Sequence, residues 1–395
     1  FRGRAGMAFA ERVIRLKQEG AYEVLARAQE LERNGREIIH LEIGEPDFAT
    51  APHISMAGVK AIVEGRTRYN PPAGIHELRA ALADDAGRRR GMTVLPEQVV
   101  VGPGAKPLLF FPMLALVEPG DEVLCPDPGF PTYEAVIRLA GGVPVSVPLV
   151  EENDFSFDLD AFHRLITRRT KVVLLNSPSN PTGGVMPRED LERIAEVAIE
   201  RGLWVISDEI YSRISSDGRH VPSIAAFPGM QERTVIVDGF SKTYAMTGWR
   251  LGYGILPEAL AARVQLLLTH SVGCTAHMTQ YAGLEAVHGP QEWVEGMVAM
   301  YQRRRDRLVA GLNAIPGIRC KTPQGAFYAF PNVSALSRPV SALANQILEE
   351  AGVALLPGTA FGPAGEGYLR LSYANSLERI EQGLTRLEAF FRRLE

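Results

Sequence analysis

Five short apolar runs recur through the middle of the chain: Val99-Val-Val101, Glu122-Val-Leu-Cys125, Val172-Val-Leu-Leu175, Leu203-Trp-Val-Ile-Ser207 and Thr234-Val-Ile-Val237. None alternates apolar with polar residues, so none can turn one face to water. Strands covered on both faces belong to parallel sheets with helices above and below. Segments of helical character lie between them, at 107–117, 131–140, 158–168 and 187–201, with a further strand at 143–147. The alternation predicts an α/β fold with a mostly parallel central sheet and helices on both faces.

The flanks read differently. Residues 8–34 predict a helix, interrupted near Gly20 and ended by Asn34-Gly35. Ile38 to Ile43 predicts a strand that runs into the turn Gly44-Glu-Pro-Asp-Phe48. Helices are expected at 53–64 and 75–90, joined by the stiff loop Tyr69-Asn-Pro-Pro-Ala-Gly74. After a short strand at 251–255, residues 257–313 predict long helix, broken at Gly273 and at His288-Gly-Pro290. This stretch connects to a C-terminal unit with strands at 327–330, 354–356 and 368–372 and helices at 341–351 and 376–394. The expected division is an N-terminal arm and part of a small α+β domain (1–47), a large domain (48–290) and the rest of the small domain (291–395).

A net charge of −4 does not suggest a nucleic-acid binder, which carries a basic face. Arg88-Arg-Arg90 and Arg303-Arg-Arg305 read as solvated helix faces. The three cysteines, Cys125, Cys274 and Cys320, are widely spaced and fit a reducing cytoplasm. No secretory pattern opens the chain, and Phe1 to Gly6, ahead of Met7, are left out of the fold argument. The longest apolar stretch, Leu108 to Val117, falls short of the roughly 20 residues that a bilayer span needs.

In parallel α/β sheets, ligands sit beyond the carboxyl ends of the strands. Each strand here delivers a polar group to that edge. Lys242 follows Thr234–Val237, and burial lowers a lysine's pKa and frees it as a Schiff-base nucleophile. Gly104-Ala105 open a helix whose first N–H groups suit an anion such as phosphate, and Arg250 could clamp the same anion. Asp208 ends an apolar strand, where a carboxylate needs a cation to stay charged; a protonated pyridine nitrogen would serve. Taken singly, each is also what a surface lysine, a cap or a turn residue would look like.

Taken together, in order and spacing, they resemble the class I/II aminotransferases, the pyridoxal-phosphate enzymes of fold type I. The resemblance spans essentially the whole chain. It rests on Gly44-Glu-Pro-Asp-Phe48, Tyr69 with Pro-Pro-Ala-Gly74, Asn176-Ser-Pro-Ser-Asn-Pro-Thr-Gly183, Ser207-Asp-Glu-Ile-Tyr211, Gly239-Phe-Ser-Lys-Thr-Tyr-Ala-Met-Thr-Gly-Trp-Arg250 and Arg370-Leu-Ser-Tyr-Ala374. It implies that Lys242 carries pyridoxal 5′-phosphate as an internal aldimine and then serves as general base. Asp208 would pair with the pyridinium N–H, making the ring an electron sink. Tyr211 and Asn180 would bond the ring O3′ oxygen. Gly104, Ala105, Lys106 and Arg250 would hold the phosphate, and Phe130 would stack on the ring. Arg370 would take the substrate α-carboxylate, with Gly44 close by. Tyr69 would reach the neighbour's cofactor across a homodimer interface.

The expected substrates are an L-amino acid and a 2-oxo acid, 2-oxoglutarate as the usual acceptor, used in a ping-pong sequence. No metal, nucleic acid or membrane is expected to take part. Departures from better-known members are Gly239 in place of serine, Phe130 in place of tryptophan, and Lys17–Tyr22 at the entrance. They weaken a specific claim for aspartate. Phe130, Tyr22 and Met246 could suit an apolar or aromatic side chain. A lyase on the same scaffold is the alternative. A cofactor-binding regulator is disfavoured, since the roughly 40 residues before Gly44 are too few for a DNA-binding module and linker.

Overall fold

The structure is a computed structural model that describes residues 9–14, 16 and 20–394. In chain order its strands are β1 (Ile39–His40), β2 (Val99–Gly102), β3 (Glu122–Asp127), β4 (Val143–Val150), β5 (Ser156–Phe157), β6 (Thr170–Asn176), β7 (Trp204–Asp208), β8 (Thr234–Gly239), β9 (Gly252–Ile255), β10 (Tyr328–Ala329), β11 (Val353–Ala354), β12 (Leu356–Pro357) and β13 (Leu369–Ser372). Eight of them form one sheet in the order β2-β9-β8-β7-β6-β3-β4-β5. From β8 through β4 every pairing is parallel. β9 is inserted antiparallel between β8 and β2, so β2 points the same way as β8. β5 closes the far edge antiparallel.

The uniform apolarity of these strands has a direct cause. In β6, Val172 and Leu174 pack into one core layer, with helices Lys106–Leu116 and Glu258–Thr269. Val173 and Leu175, pointing the other way, pack into a second layer with helix Arg188–Arg201. That helix buries Leu191, Ile194, Ala195, Val197 and Ala198, a stripe at helical spacing, and Gly202 ends it at φ +65°. A one-residue slip of β6 would exchange two buried faces.

A separate core gathers the rest. β10, β13 and β12 form an antiparallel sheet, and β1 pairs parallel with β11. Ile39 and Leu41 from the N-terminal segment share this core with Phe327, Tyr328, Leu369 and Leu371. Helix Leu377–Phe391 covers it with Ile380, Leu384, Leu387, Phe390 and Phe391.

Several expectations need correction. The strand expected over 38–43 is paired only at Ile39–His40. Leu41 donates to the Ala354 carbonyl and accepts from Ser372 N–H, so the chain changes partner there and leaves the ladder. The strand expected at 354–356 is two short ones, β11 and β12, serving different sheets. The stretch 257–313 is three helices, Glu258–Thr269, His277–His288 and Glu292–Asn313, divided at the two expected breaks. β5 was not anticipated. At the N-terminus, the described helices are Glu11–Ile14 and Gly20–Arg33, in keeping with the interruption expected near Gly20. Phe1–Gly6 and Lys17–Glu19 fall outside the described residues.

The arginine clusters are not solvated faces throughout. Arg90 is buried, with Nε on Glu209 at 2.7 Å and Nη2 on Asp238 at 2.9 Å. Arg304 grips Asp47 with two hydrogen bonds of 2.7 and 2.9 Å, and Arg305 holds Asp217. Helical spacing alone could not reveal carboxylates arriving from distant segments.

Candidate active site

The carboxyl ends of β2, β3, β6, β7 and β8 open on a cavity of about 770 Å³. At β2 the chain turns through Gly104, at φ +91°, into helix Lys106–Leu116. A Cβ on Gly104 would strike the Arg250 guanidinium, and one on Gly252 would strike the Gly104-Ala105 backbone. Glycine at these positions lets β9, the turn and Arg250 pack together at a helix start. Arg250 itself sits at φ +54° and donates from Nη1 to the Thr247 carbonyl at 2.8 Å.

Asn176, at the end of β6, organises the next turn. Its Oδ1 accepts from Asn180 N–H at 2.8 Å, and its Nδ2 donates to the Asp208 carbonyl at 3.1 Å. Asp208 ends β7, 5% exposed. Oδ2 accepts from the Tyr133 hydroxyl at 2.8 Å and Oδ1 from Ile210 N–H at 3.2 Å. Burial pushes its pKa up to about 6. No cation is bonded to it among the described residues. Beyond β8, Lys242 rides the short helix Phe240–Thr243 and donates to the Gly44 carbonyl at 2.6 Å. Burial brings its pKa down to about 8, and the nearby charges of Arg370, Arg250 and Lys106 act in the same direction.

The other wall comes from the second core. Arg370 on β13 is 3% exposed. It donates to the Glu42 carbonyl and, at 3.4 Å, to Asn180 Oδ1, while its Nε has no partner among the described residues. Its guanidinium lies 4.6 Å from the centroid of Tyr328 and 5.2 Å from that of Phe361. A buried planar cation with no carboxylate bonded to it among the described residues is suited to an incoming carboxylate.

Of the residues singled out from sequence, Gly44, Ala105, Lys106, Phe130, Asn180, Asp208, Tyr211, Lys242, Arg250 and Arg370 line this one cavity, and Gly104 lies directly behind Arg250. Tyr69 does not; it is 97% exposed. Met246 is fully buried in the core and faces no ligand space, which removes it from the substrate pocket. Gly20, Ala21 and Tyr22 border the mouth. Sequence reasoning missed Tyr133 and Tyr328. The first lies one helical turn beyond Phe130 and the second in the strand expected at 327–330, yet nothing local says that their hydroxyls meet Asp208 and Tyr211. Among the described residues no group of His, Cys, Asp and Glu is placed to hold a metal ion, and no helix is long and apolar enough to cross a membrane.

The family model for aminotransferase class I and II matches residues 36–387. A probable aspartate/prephenate aminotransferase of Aquifex aeolicus is 41% identical, covering 96% of this chain and 97% of that protein. Aromatic-amino-acid aminotransferase 2 of Thermococcus litoralis is 39% identical over 89% of this chain and 91% of its own. Among solved structures, the aspartate aminotransferase of Thermus thermophilus with maleate superposes with a TM-score of 0.92 at 40% identity, over 97% of this chain and 99% of that one.

Proposed function

The chain belongs to the class I and II aminotransferases, and we propose that it moves the amino group of an L-amino acid onto a 2-oxo acid by a ping-pong course. The family depends on pyridoxal 5′-phosphate, has the fold type I architecture and works on amino acids and 2-oxo acids. Two features of the site fit that cofactor. Asp208 is a buried carboxylate bonded to no cation among the described residues, and a pyridinium N–H is the cation that would keep it charged. The cradle at Gly104 has no room for a side chain beside the Arg250 guanidinium.

The observation that carries the reading is Lys242, half-buried and lining one cavity with Asp208 and Arg370. When bound, the cofactor supplies a ring that accepts the electron pair released at the substrate Cα. The chain's own residues do the rest. Lys242 carries the cofactor and, with a pKa near 8, takes and returns a proton close to neutral pH. Asp208 holds the ring nitrogen protonated. Tyr211 and Asn180 would hold the ring oxygen, Phe130 would stack on the ring, and Gly104, Ala105, Lys106 and Arg250 would hold the phosphate. Arg370, with Gly44 beside it, fixes the α-carboxylate and thereby the face of Cα presented to Lys242.

We read residues 48–290 as the cofactor-binding domain and 1–47 with 291–395 as the arm and small domain; a core that gathers most of the second group, joined by Ile210, Tyr211 and Ile214 of the first, supports this. A homodimer fits the exposed apolar side chains of helix Pro52–Val63, where Met56, Val59, Ile62 and Val63 are 51–81% exposed. In such a dimer the exposed Tyr69 would serve the neighbour's cofactor. A cytoplasmic location accords with cysteines that form no disulfide. For the donor, Tyr22, Leu25, Leu356 and Phe361 give the cavity an apolar wall, which supports an apolar or aromatic side chain.

The test is to add single L-amino acids to the purified holoenzyme without any oxo acid. Conversion of its visible band, with one equivalent of 2-oxo acid recovered, is expected. Release of ammonia without that conversion would turn the assignment toward a lyase. A response to aspartate and glutamate alone would overturn the apolar-donor reading.

A further inference from the structure

Tyr328 touches three parts of the site. Its hydroxyl lies 2.8 Å from that of Tyr211. Its ring lies against the Arg370 guanidinium, 4.6 Å from centroid to carbon. Gly44 can carry no Cβ because the Tyr328 hydroxyl occupies that place. The register of β10 on β13 sets this up: Tyr328 is opposite Ser372, so Arg370 is its diagonal neighbour on the same face.

Proton counting gives the hydrogen bond a direction. Burial raises the pKa of both phenols, Tyr211 strongly, so each keeps its proton at neutral pH. A phenol has one proton to donate. If Tyr211 gives its proton to the cofactor's ring oxygen, then Tyr328 must be the donor in the bond between them. A hydroxyl that accepts a hydrogen bond donates a stronger one. The cation against the Tyr328 ring also favours donation.

We propose that Tyr328 is a positioning residue that aims and strengthens the Tyr211 hydroxyl at the cofactor's ring oxygen while its ring seats Arg370. This rests on the function proposed above. Tyr328 thus links the group that receives the substrate carboxylate to the group that sets the charge on the cofactor.

The test is a spectrophotometric pH titration of the visible band in holoenzyme carrying Tyr328→Phe, Tyr211→Phe or both. Losing the Tyr328 donor leaves the ring oxygen less well stabilised as an anion. The Tyr328→Phe band is therefore expected to titrate at a pH higher by about half a unit. Its KM for the oxo acid should change less than that of Tyr328→Leu, which also loses the ring contact with Arg370. The double variant should titrate where Tyr211→Phe does, because Tyr328 acts only through Tyr211. A Tyr328→Phe band that titrates at the wild-type pH would overturn the inference. So would a double variant shifted beyond Tyr211→Phe. A wild-type protein with no such band would remove the proposed function and this inference with it.

Discussion

The Lys242 ammonium donates to the Gly44 carbonyl at 2.6 Å, joining residues 198 positions apart in sequence. One end stands beyond β8 in the large sheet. The other lies in the loop after β1, whose Asp47 is gripped by Arg304. The lysine is therefore held between the two cores rather than hanging from one.

Replacing Lys242 with alanine removes a desolvated ammonium and should leave the fold intact. Cofactor should still bind noncovalently, without the wild-type visible band. Turnover is expected to fall by about 10⁴-fold, as when a general base is lost. Single-turnover mixing with the best donor checks this, and appreciable transamination by the variant would refute the assignment.

Asp208 makes a pH-dependent prediction. Its folded pKa, about 6, lies above the ordinary value of 3.8, so the folded cofactor-free protein binds this proton more tightly than the unfolded chain does. The buried charge then costs stability above pH 6, and the cost is relieved as pH falls from 6 toward 4. At pH 7 the full penalty is about 3 kcal/mol as an upper figure. Asp208→Asn should therefore stabilise the cofactor-free protein at pH 7, lose that advantage near pH 4, and still lose most of its turnover. Urea denaturation at the two pH values measures it; a variant less stable than wild type at pH 7 would contradict the account.

Arg370 is predicted to act through its planar fork and not only its charge. Arg370→Lys keeps a cation but gives up paired hydrogen bonding to a carboxylate. kcat/KM for the oxo acid should fall about 100-fold, close to 3 kcal/mol. An unchanged value would mean that the carboxylate binds elsewhere.

Arg90 carries a stability prediction away from the chemistry. Burial pushes the Asp238 carboxyl up, and the guanidinium groups of Arg90 and Arg89 more than reverse it, holding it below the usual range. Arg90→Met would leave Glu209 without its guanidinium partner and Asp238 with Arg89 as its one remaining guanidinium, beside the Tyr253 hydroxyl and the Gly239 N–H, and should destabilise the fold by about 3–5 kcal/mol. Chemical denaturation of the cofactor-free protein reads this directly. A loss under about 1 kcal/mol would place the pair among weak surface contacts.

Much of this architecture was legible because burial on both faces writes itself into composition. Val172 to Leu175 can only be a covered strand, and Asp208 and Lys242 stand out because a charge ends each apolar run. What was not legible depends on partners far along the chain. Ile38–Ile43 looks like one strand because its residues are apolar, but its hydrogen bonds are shared between two sheets. Met246 looked like pocket lining because it follows Lys242 closely; a turn sends it into the core. Arg90 resembles its exposed neighbour Arg88 until Glu209 and Asp238 arrive. Tyr133 and Tyr328 carry no local mark of their partners.

The insertion of β9 between β8 and β2 has a consequence for the length of chain around Lys242. The segment leaves the sheet at Gly239 and re-enters it at Gly252, next to the Gly104 turn. The two ends face each other across one rung of the β8–β9 ladder, so the twelve residues between them act as a ruler. Lys242 is measured off from one end and Arg250 from the other. Side chains along that ruler can be exchanged one at a time, but its count cannot change without pulling the lysine and the arginine out of register with each other.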